Sequence, residues 1–480
     1  MTVSSDPLDA LRLLFRAKFG ADAASLVPVR AEGSNRRIYR LTGAGTTAVG
    51  VLNDDAKENR AFIEFSKHFH AQGIPVPEFY GENADATAYL EEDLGDTTLF
   101  QFLGKRRTPA GFPPEVVSAY QDVVRWLPKI QIVAGSTIDD KWCYPRKSFD
   151  KQSMMWDLNY FKYYFLTLGG IPFHEEKLEE DFQVFADYLL AADRKYFLCR
   201  DFQSRNVMLK DGKPYFIDYQ GGRRGALHYD IASLLYDAKA DVPFELRDEL
   251  LDLYISEAAK LTPIDRAEFK KYFPGFVLIR IMQAMGAYGL RGFHEKKPLF
   301  LQSIPYAIRN IEHVLLTSGL PVEVPELMGV FKKLVGSSAL RQFGAAKLKL
   351  TVRIQSFSYK NGMPRDQSGH GGGYVLDCRC LPNPGRQLEF KTQSGLDAPV
   401  VAFLSKEDSV DRWARSAFSL VDQAVEDYGR RNFTDLFVAF GCTGGQHRSV
   451  YMAERLSKHL RDQGVSTVVT HRETKGWPKK

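Results

Sequence analysis

Apolar residues recur at helical spacing through Leu8, Leu11, Leu14 and Phe15, behind a capping Ser4-Ser5-Asp6 and a first-turn Pro7, so the chain is expected to open on an amphipathic helix. Glu32 to Leu41 reads as a turn opening between two strands, and Thr46 to Leu52 as another strand. Lys57 to Gln72 returns to helical spacing and stops at Gly73, a C-cap signal. These elements predict a small sheet with one helix. Long helical patterns follow over 115–134 and 157–190. Between 196 and 218 the period shortens to two β runs, Tyr196–Cys199 and Pro214–Asp218, around a polar loop. Helices resume from Asp230 to about Leu316.

The stretch 321–347, with Pro325, Gly329, Gly336 and Gly344, is the expected linker, part of it a short helix. A second pattern begins at Leu348. An alternating strand (Leu348, Leu350, Val352, Ile354) leads to a glycine-rich loop at 369–373 and a strand over Tyr374–Cys380. The apolar run Val400–Leu404, the helix Asp411–Tyr428, the strand Leu436–Phe440, the helix Ser449–Gln463 and the strand Val465–Val469 complete it. Strand alternating with helix predicts a partly parallel sheet. The expected fold class is an α+β two-lobed domain followed by a smaller α/β domain.

Composition narrows the picture. A length of 480 residues suggests about three structural units. With 44% hydrophobic and 26% charged residues, a largely disordered chain is excluded. No run approaches the roughly 18 unbroken apolar residues of a membrane span, and the first residues lack a signal-peptide pattern. Five cysteines (143, 199, 378, 380, 442) are odd in number and spread thinly, which suits a reducing, cytoplasmic setting. Charge is uneven. Residues 341–480 hold 22 Lys and Arg against 14 Asp and Glu. Whole-chain totals of 64 and 59 leave 42 and 45 for the rest, so the excess of positive charge belongs to the C-terminal part. An anionic partner, nucleic acid or phosphorylated small molecule, is expected there.

Cys199-Arg200-Asp201-Phe202-Gln203-Ser204-Arg205-Asn206 lies in the polar loop, and Asp218 closes the next β run. An Asp and an Asn five apart, with a second Asp on the following hairpin, match what phosphoryl transfer requires. Asp201 would accept the proton of a substrate hydroxyl, and Asn206 and Asp218 would hold Mg²⁺. With the Gly-Ser-x-Arg-Arg turn at 33–37, Lys57-Glu58-Asn59-Arg60-Ala61-Phe62, Tyr89 to Asp96, Ile217-Asp218-Tyr219-Gln220 and Tyr229 to Asp237, residues 1–320 resemble the aminoglycoside phosphotransferase-like kinases, above all their sugar and amino-sugar branch. That resemblance implies a kinase N-lobe at 1–95 and C-lobe at 96–320, with ATP as cofactor. It places backbone groups of Glu92, Asp93 and Leu94 on adenine, Ser34, Asn35 and Arg36 over the phosphates, Glu58 in the phosphate clamp, and Asp230 as a brace of the catalytic loop. Two positions depart from it. Cys199 stands where the loop's His is usual. The third strand, Ala48-Val49-Gly50-Val51, lacks the usual phosphate-clamping Lys, leaving Arg36, Arg37 or Lys57 to substitute, or a pseudokinase.

The stretch Asp435 to Ser449 reads strand, glycine-rich loop, helix start. Cys442 and Arg448 flank Thr443-Gly444-Gly445-Gln446-His447, the spacing of a cradle that surrounds an oxyanion with backbone N–H groups and a guanidinium. The same field suits Cys442 as a nucleophile, with Asp366 and Asp377 as the nearby candidate acids. With Gln355–Pro364, Tyr374–Arg379, Leu381–Pro384 and Gly395–Asp397, the region 348–475 resembles the C-terminal domain of RapZ, an adaptor family that binds RNA and an amino-sugar phosphate. By that resemblance Cys442, Thr443, Gly444, Gly445, His447 and Arg448, with Arg379 and Asn383, take the anion, and self-association into a homo-oligomer is implied. No G-x-x-x-x-G-K-[ST] occurs in the chain, although that adaptor family carries an N-terminal P-loop domain.

Two functions remain in view. One is a kinase of a small hydroxylated molecule, probed through Asp157, Arg280, Gln283 and Arg291 on the acceptor side, with a metabolite-binding domain. The other is a regulatory adaptor in which the kinase-like part only binds nucleotide and the basic part contacts RNA.

Overall fold

The computed structural model describes residues 7–29, 36–108, 111–343, 349–366 and 372–477. Ser34, Asn35 and the loop glycines 369–371 lie outside the described residues. Two compact units emerge, both discontinuous in sequence: 1–160 with 179–284 and 321–323, and 161–178 with 285–320 and 324–480.

The first unit begins with a helix, Pro7–Phe19, and a five-stranded antiparallel sheet. Its strands are β1 (Ser25–Val29), β2 (Arg37–Gly43), β3 (Thr46–Leu52), β4 (Phe79–Glu82) and β5 (Ala88–Glu92), in the order β1-β2-β3-β5-β4. Leu11 and Phe15 of the helix, spaced one turn apart, pack on Leu41, Ala48, Leu52, Ala88 and Leu90, the inward positions that alternation on a strand supplies. A second helix, Ala56–Ala71, is capped by Asp55, whose carboxylate accepts from the N–H groups of Lys57 and Glu58.

Helices make up most of the chain from here to residue 320, of which Phe161–Leu178 and Met285–Leu320 belong to the second unit. Pro114–Pro128 continues as a π-helical turn over Lys129–Ala134. The expected helix over 157–190 is instead interrupted. Helical structure runs to Thr167 and resumes at Glu175, because Gly169, Gly170 (φ +66°) and Pro172 stand between. Two hairpins then carry the polar loop: β6 (Tyr196–Leu198) pairs with β9 (Arg223–Gly225), and β7 (Val207–Lys210) with β8 (Lys213–Phe216). The helical stretch Arg266–His294 has the length and hydropathy of a membrane span, yet 67% of its apolar window is buried, as in a core helix.

The second unit is organised on β10 (Thr351–Ser358), β11 (Gly373–Asp377), β12 (Asp435–Cys442) and β13 (Ser466–His471) in the order β11-β12-β10-β13. Every pairing is parallel, so the sheet is parallel throughout. β12 is buried at all eight positions, as a central parallel strand covered on both faces must be. Here one run left unassigned by the sequence resolves and one expectation changes. The apolar run 400–404 is a helix, Ala398–Ser405, with Pro399 in its first turn. The strand expected to reach Cys380 ends at Asp377, whose carboxylate accepts from the Arg379 N–H and turns the chain into a 3₁₀ segment, Cys378–Cys380. Within 321–347 the helices Pro325–Gly336 and Ser338–Arg341 form. Arg341, wholly buried, pairs with Glu312 at 2.7 Å, and Thr434 donates to the same carboxylate. Burial raises the Glu312 carboxyl to about 7 against the pull of Arg341.

Candidate active site and anion cradle

In the first unit the loop after β6 is held from beneath. Asp230, fully buried on the helix His228–Leu235, accepts from the N–H of Cys199 at 2.7 Å, the N–H of Arg200 at 3.0 Å and Gln131 Nε2 at 2.9 Å. Burial still raises its carboxyl to about 6. Arg200 adopts φ +78°, a conformation that is strained for a side-chain-bearing residue. It is fixed by a bidentate pair to Asp157 at 2.6 and 3.0 Å. Asp157 is therefore committed to the loop. Cys199 packs, 5% exposed, and burial pushes its thiol well above the ordinary range.

This scaffold brings Asp201, Asn206 and Asp218 together. Asn206 Nδ2 donates to the Asp201 carbonyl at 2.8 Å and to Asp218 Oδ2 at 3.0 Å, and Gln220 Nε2 donates to Asp218 Oδ1 at 2.8 Å. Asp218 also has positive φ, +64°. The Asp201 and Asp218 carboxylates keep 41% and 39% of their surface open. Crowding by protein raises the Asp218 carboxyl, Arg36 opposing and Asp201 adding to the rise.

Of the three basic candidates for the missing clamp, Arg36 is the one that reaches the site. It donates to Glu58 at 2.8 Å and stands 3.5 Å from Asp218. Arg37 and Lys57 are exposed. Asn53, absent from the sequence reading, donates to the other Glu58 oxygen at 2.9 Å and fixes it toward Arg36. Asn53 lies just beyond β3, and nothing in its local pattern separates it from an ordinary loop asparagine. Glu92, Asp93 and Leu94 follow at the end of β5. Glu92 N–H donates to the Glu78 carbonyl. Arg40 grips Asp93 at 2.7 and 2.9 Å, holding its carboxyl below the usual range despite partial burial.

In the second unit the loop after β12 closes on itself. Gly445 has φ +66°, and a Cβ there would lie 2.5 Å from Glu473 Cγ and 3.0 Å from Ser358 N, so only glycine fits. Gly445 N–H donates to Cys442 Sγ at 3.2 Å, and the sulfur lies 3.1 Å from Ser449 Oγ. Arg448, 5% exposed, donates to the carbonyls of Arg379 (2.8 Å) and Leu381 (3.1 Å) and reaches Thr443 Oγ1 at 3.4 Å. His447 Nε2 lies 2.9 Å from the Phe390 carbonyl. Thr443 and Gly444 are exposed just before the helix Arg448–Asp462, where first-turn N–H groups favour an anion. Arg379 stacks over Tyr359 at 4.0 Å and pairs with Asp377, which it holds below the usual carboxylate range. Asn383 accepts from Gly385 N–H. Both candidate acids are engaged, Asp366 by Arg353 and Asp377 by Arg379.

A model described as the phosphotransferase enzyme family matches residues 25–268, just over half of the chain. The chain belongs to the phosphotransferase enzyme family. The chain also matches the RapZ C-terminal domain over residues 350–475, so the expected two-lobed kinase-like domain followed by an α/β domain stands. Among curated relatives are nucleotide-binding proteins of Methylobacillus flagellatus, 42% identical over 124 residues (26% of this chain, 42% of that protein), and of Thermotoga neapolitana, 36% over 142 residues (30% and 47%). The chain spans under half the length of these relatives. Similar solved structures include choline kinase LicA from Streptococcus pneumoniae, 14% identical over 63% of this chain and 98% of that chain with a TM-score of 0.42. Plasmodium vivax ethanolamine kinase is 12% identical over 61% and 82%, with a TM-score of 0.44. Of the residues expected on the acceptor side, Arg280 lies 3.8 Å from Asp201 and donates to Gln283, whereas Arg291 pairs with Glu295 in the second unit.

Proposed function

We propose that this phosphotransferase moves the γ-phosphoryl group of ATP to the hydroxyl of a small molecule of the sugar or amino-sugar class, in a kinase domain over 1–320. One observation carries the reading: Asn206 Nδ2 bridges the Asp201 backbone carbonyl and the Asp218 carboxylate, both aspartate side chains stay half open, and Arg36 joins Glu58 and Asp218. Among the described residues no group of three or more His, Cys, Asp or Glu side chains could hold a metal by itself. One carboxylate with one amide oxygen nonetheless fits Mg²⁺, which keeps waters and takes substrate phosphates as ligands. Asn206 and Asp218 would hold it, and when bound it supplies charge neutralisation on the phosphates. Asp201 orients the acceptor hydroxyl and receives its proton. Arg36, steadied by Glu58 and Asn53, supplies the phosphate clamp that β3 lacks. Glu92, Asp93 and Leu94 serve the adenine end in this reading. ATP turnover on a sugar panel, with Asp201→Ala as control, tests this. Identical traces for both proteins would overturn it.

The domain at 348–475, in this reading, holds a phosphorylated metabolite in the Cys442–Arg448 loop with Arg379 and Asn383, and the whole works as a cytoplasmic homo-oligomer. A regulatory adaptor that contacts RNA is the second reading, favoured by the positive excess of residues 341–480. Steeply salt-dependent RNA affinity in a chain without ATP turnover would select it.

A further inference from the structure

Glu91 has no role in the chemistry above. It belongs to β5, between Leu90, which packs with Leu11 and Phe15 of the first helix, and Glu92, where the segment assigned to the base begins. Strand alternation turns its side chain to the face opposite Leu90. On that face Tyr89 stacks with Phe62 at 5.1 Å, and Phe62 with Tyr219 at 5.1 Å. Tyr219 directly follows Asp218, so the face that carries Glu91 is the one turned to the site.

The carboxyl there is left unmatched. Its cross-strand neighbours are Val49 on β3 and Phe79 on β4, whose side chains offer no donor. Glu91 Oε2 is sealed from solvent and has no hydrogen-bond partner among the described residues. Arg36, the cation that acts on it, donates instead to Glu58 at 2.8 Å and stands 3.5 Å from Asp218. Burial pushes the Glu91 carboxyl up to about 8, with Arg36 opposing and Glu92 adding to the rise. At neutral pH it therefore keeps its proton, and a carboxylic acid presents one O–H donor beside one carbonyl acceptor. Such a group is costly to bury unless something pairs with it. The terminal torsion of a glutamate is soft, so both oxygens can turn to an incoming edge.

One purine carries the matching edge. Adenine presents the N6 amine as donor next to N7 as acceptor, whereas guanine presents O6 and N7, both acceptors. The acid pairs twice with the first and once with the second. We infer that Glu91 selects the base, its donor and its acceptor pairing with the N6–N7 edge of adenine, so that this protein takes ATP in preference to GTP. This rests on the reading in which residues 92–94 serve the base.

Calorimetric titration of the full chain with ATP, GTP and 7-deaza-ATP, which has carbon in place of N7, reads the pairing without turnover. Wild type is expected to bind ATP about tenfold more tightly than 7-deaza-ATP, the scale of one hydrogen bond to a buried group, and more tightly than GTP. Glu91→Met, similar in size and without an O–H or N–H donor, should bring the first ratio close to one and narrow the gap to GTP. Glu91→Gln, which keeps a donor beside an acceptor, should hold the first ratio within about threefold of wild type. Because each ratio is internal to one protein, a loss of folded material does not change it. Equal affinity of wild type for ATP and 7-deaza-ATP, a ratio unmoved in Glu91→Met, or a ratio lost in Glu91→Gln overturns the inference and leaves nucleotide binding standing. Absence of binding of all three nucleotides by wild type overturns the nucleotide reading itself.

Discussion

The loop from Arg200 to Asp218 and the loop from Cys442 to Arg448 are each rich in reactive residue types, and they are built in opposite ways. In the first, Arg200 and Asp218 sit in left-handed backbone, and two carboxylates are left half open. In the second, the one left-handed residue is a glycine. The cysteine and arginine are buried, with their polar atoms turned onto Gly445 N–H, Ser449 Oγ and backbone carbonyls. Strained, open charge is the signature of a site that reacts. Satisfied polar groups around exposed backbone N–H groups make a site that holds. The contrast argues against Cys442 as a nucleophile.

Removing the reactive charge should have the largest effect. Asp201→Ala is expected to lower kcat by about 10² to 10⁴-fold with nucleotide affinity retained, as read by paired turnover and ATP-binding titrations. Retained turnover would break the contrast at its stronger end. Arg36→Ala should lower kcat/KM for ATP by about 100-fold, the order of losing one preorganised charge contact, and Arg36→Lys should lose less. An Arg36→Ala enzyme with unchanged ATP kinetics would leave the clamp to another residue.

Asp230 sharpens the comparison through pH. Its carboxyl is raised from 3.8 to about 6 in the fold, so the folded state binds the proton more tightly than the unfolded chain does. Its stabilising contribution is full below about pH 4 and is lost as pH rises to about 6, by up to about 3 kcal/mol. Chemical denaturation across that window should show wild type losing stability relative to Asp230→Asn; parallel curves would refute the assignment. The smallest effect is expected in the other loop. Cys442→Ser should change the affinity for a sugar phosphate by no more than about twofold, since the sulfur only accepts an N–H and a hydroxyl contact, whereas Arg448→Ala should weaken it by about tenfold or more. Calorimetry on the full chain separates the two.

Much of this organisation was legible in the order of residues. Spacing alone brought out Asp201, Asn206 and Asp218, because a catalytic loop and the hairpin after it are close in sequence and their geometry is local. The cradle was readable for the same reason. Arg36 was one of three candidates, and choosing it required the fold, since its partners Glu58 and Asp218 lie 22 and 182 residues away. Asn53 and Gln131 escaped notice because a second-layer amide has no sequence pattern of its own. Arg280 was visible only as one of four polar residues expected on the acceptor side; its 3.8 Å approach to Asp201 required the fold. The over-long helix at 157–190 was a misreading of Gly169-Gly170-Ile171-Pro172, where backbone chemistry outweighs the apolar period on either side.

The buried Arg341–Glu312 pair bears on how the protein is made. Glu312 receives its guanidinium from a residue 29 positions later and its hydroxyl donor from Thr434, 122 positions later. During synthesis the helix Ile304–Thr317 therefore leaves the ribosome before Arg341 and Thr434 have been made. β13, which completes the parallel sheet against β10, comes later still. The second unit can close only when nearly the whole chain has emerged. A fragment that stops near residue 320 would lack both Arg341 and Thr434 and expose apolar helix faces, which makes the intact chain the natural starting material for expression and dissection.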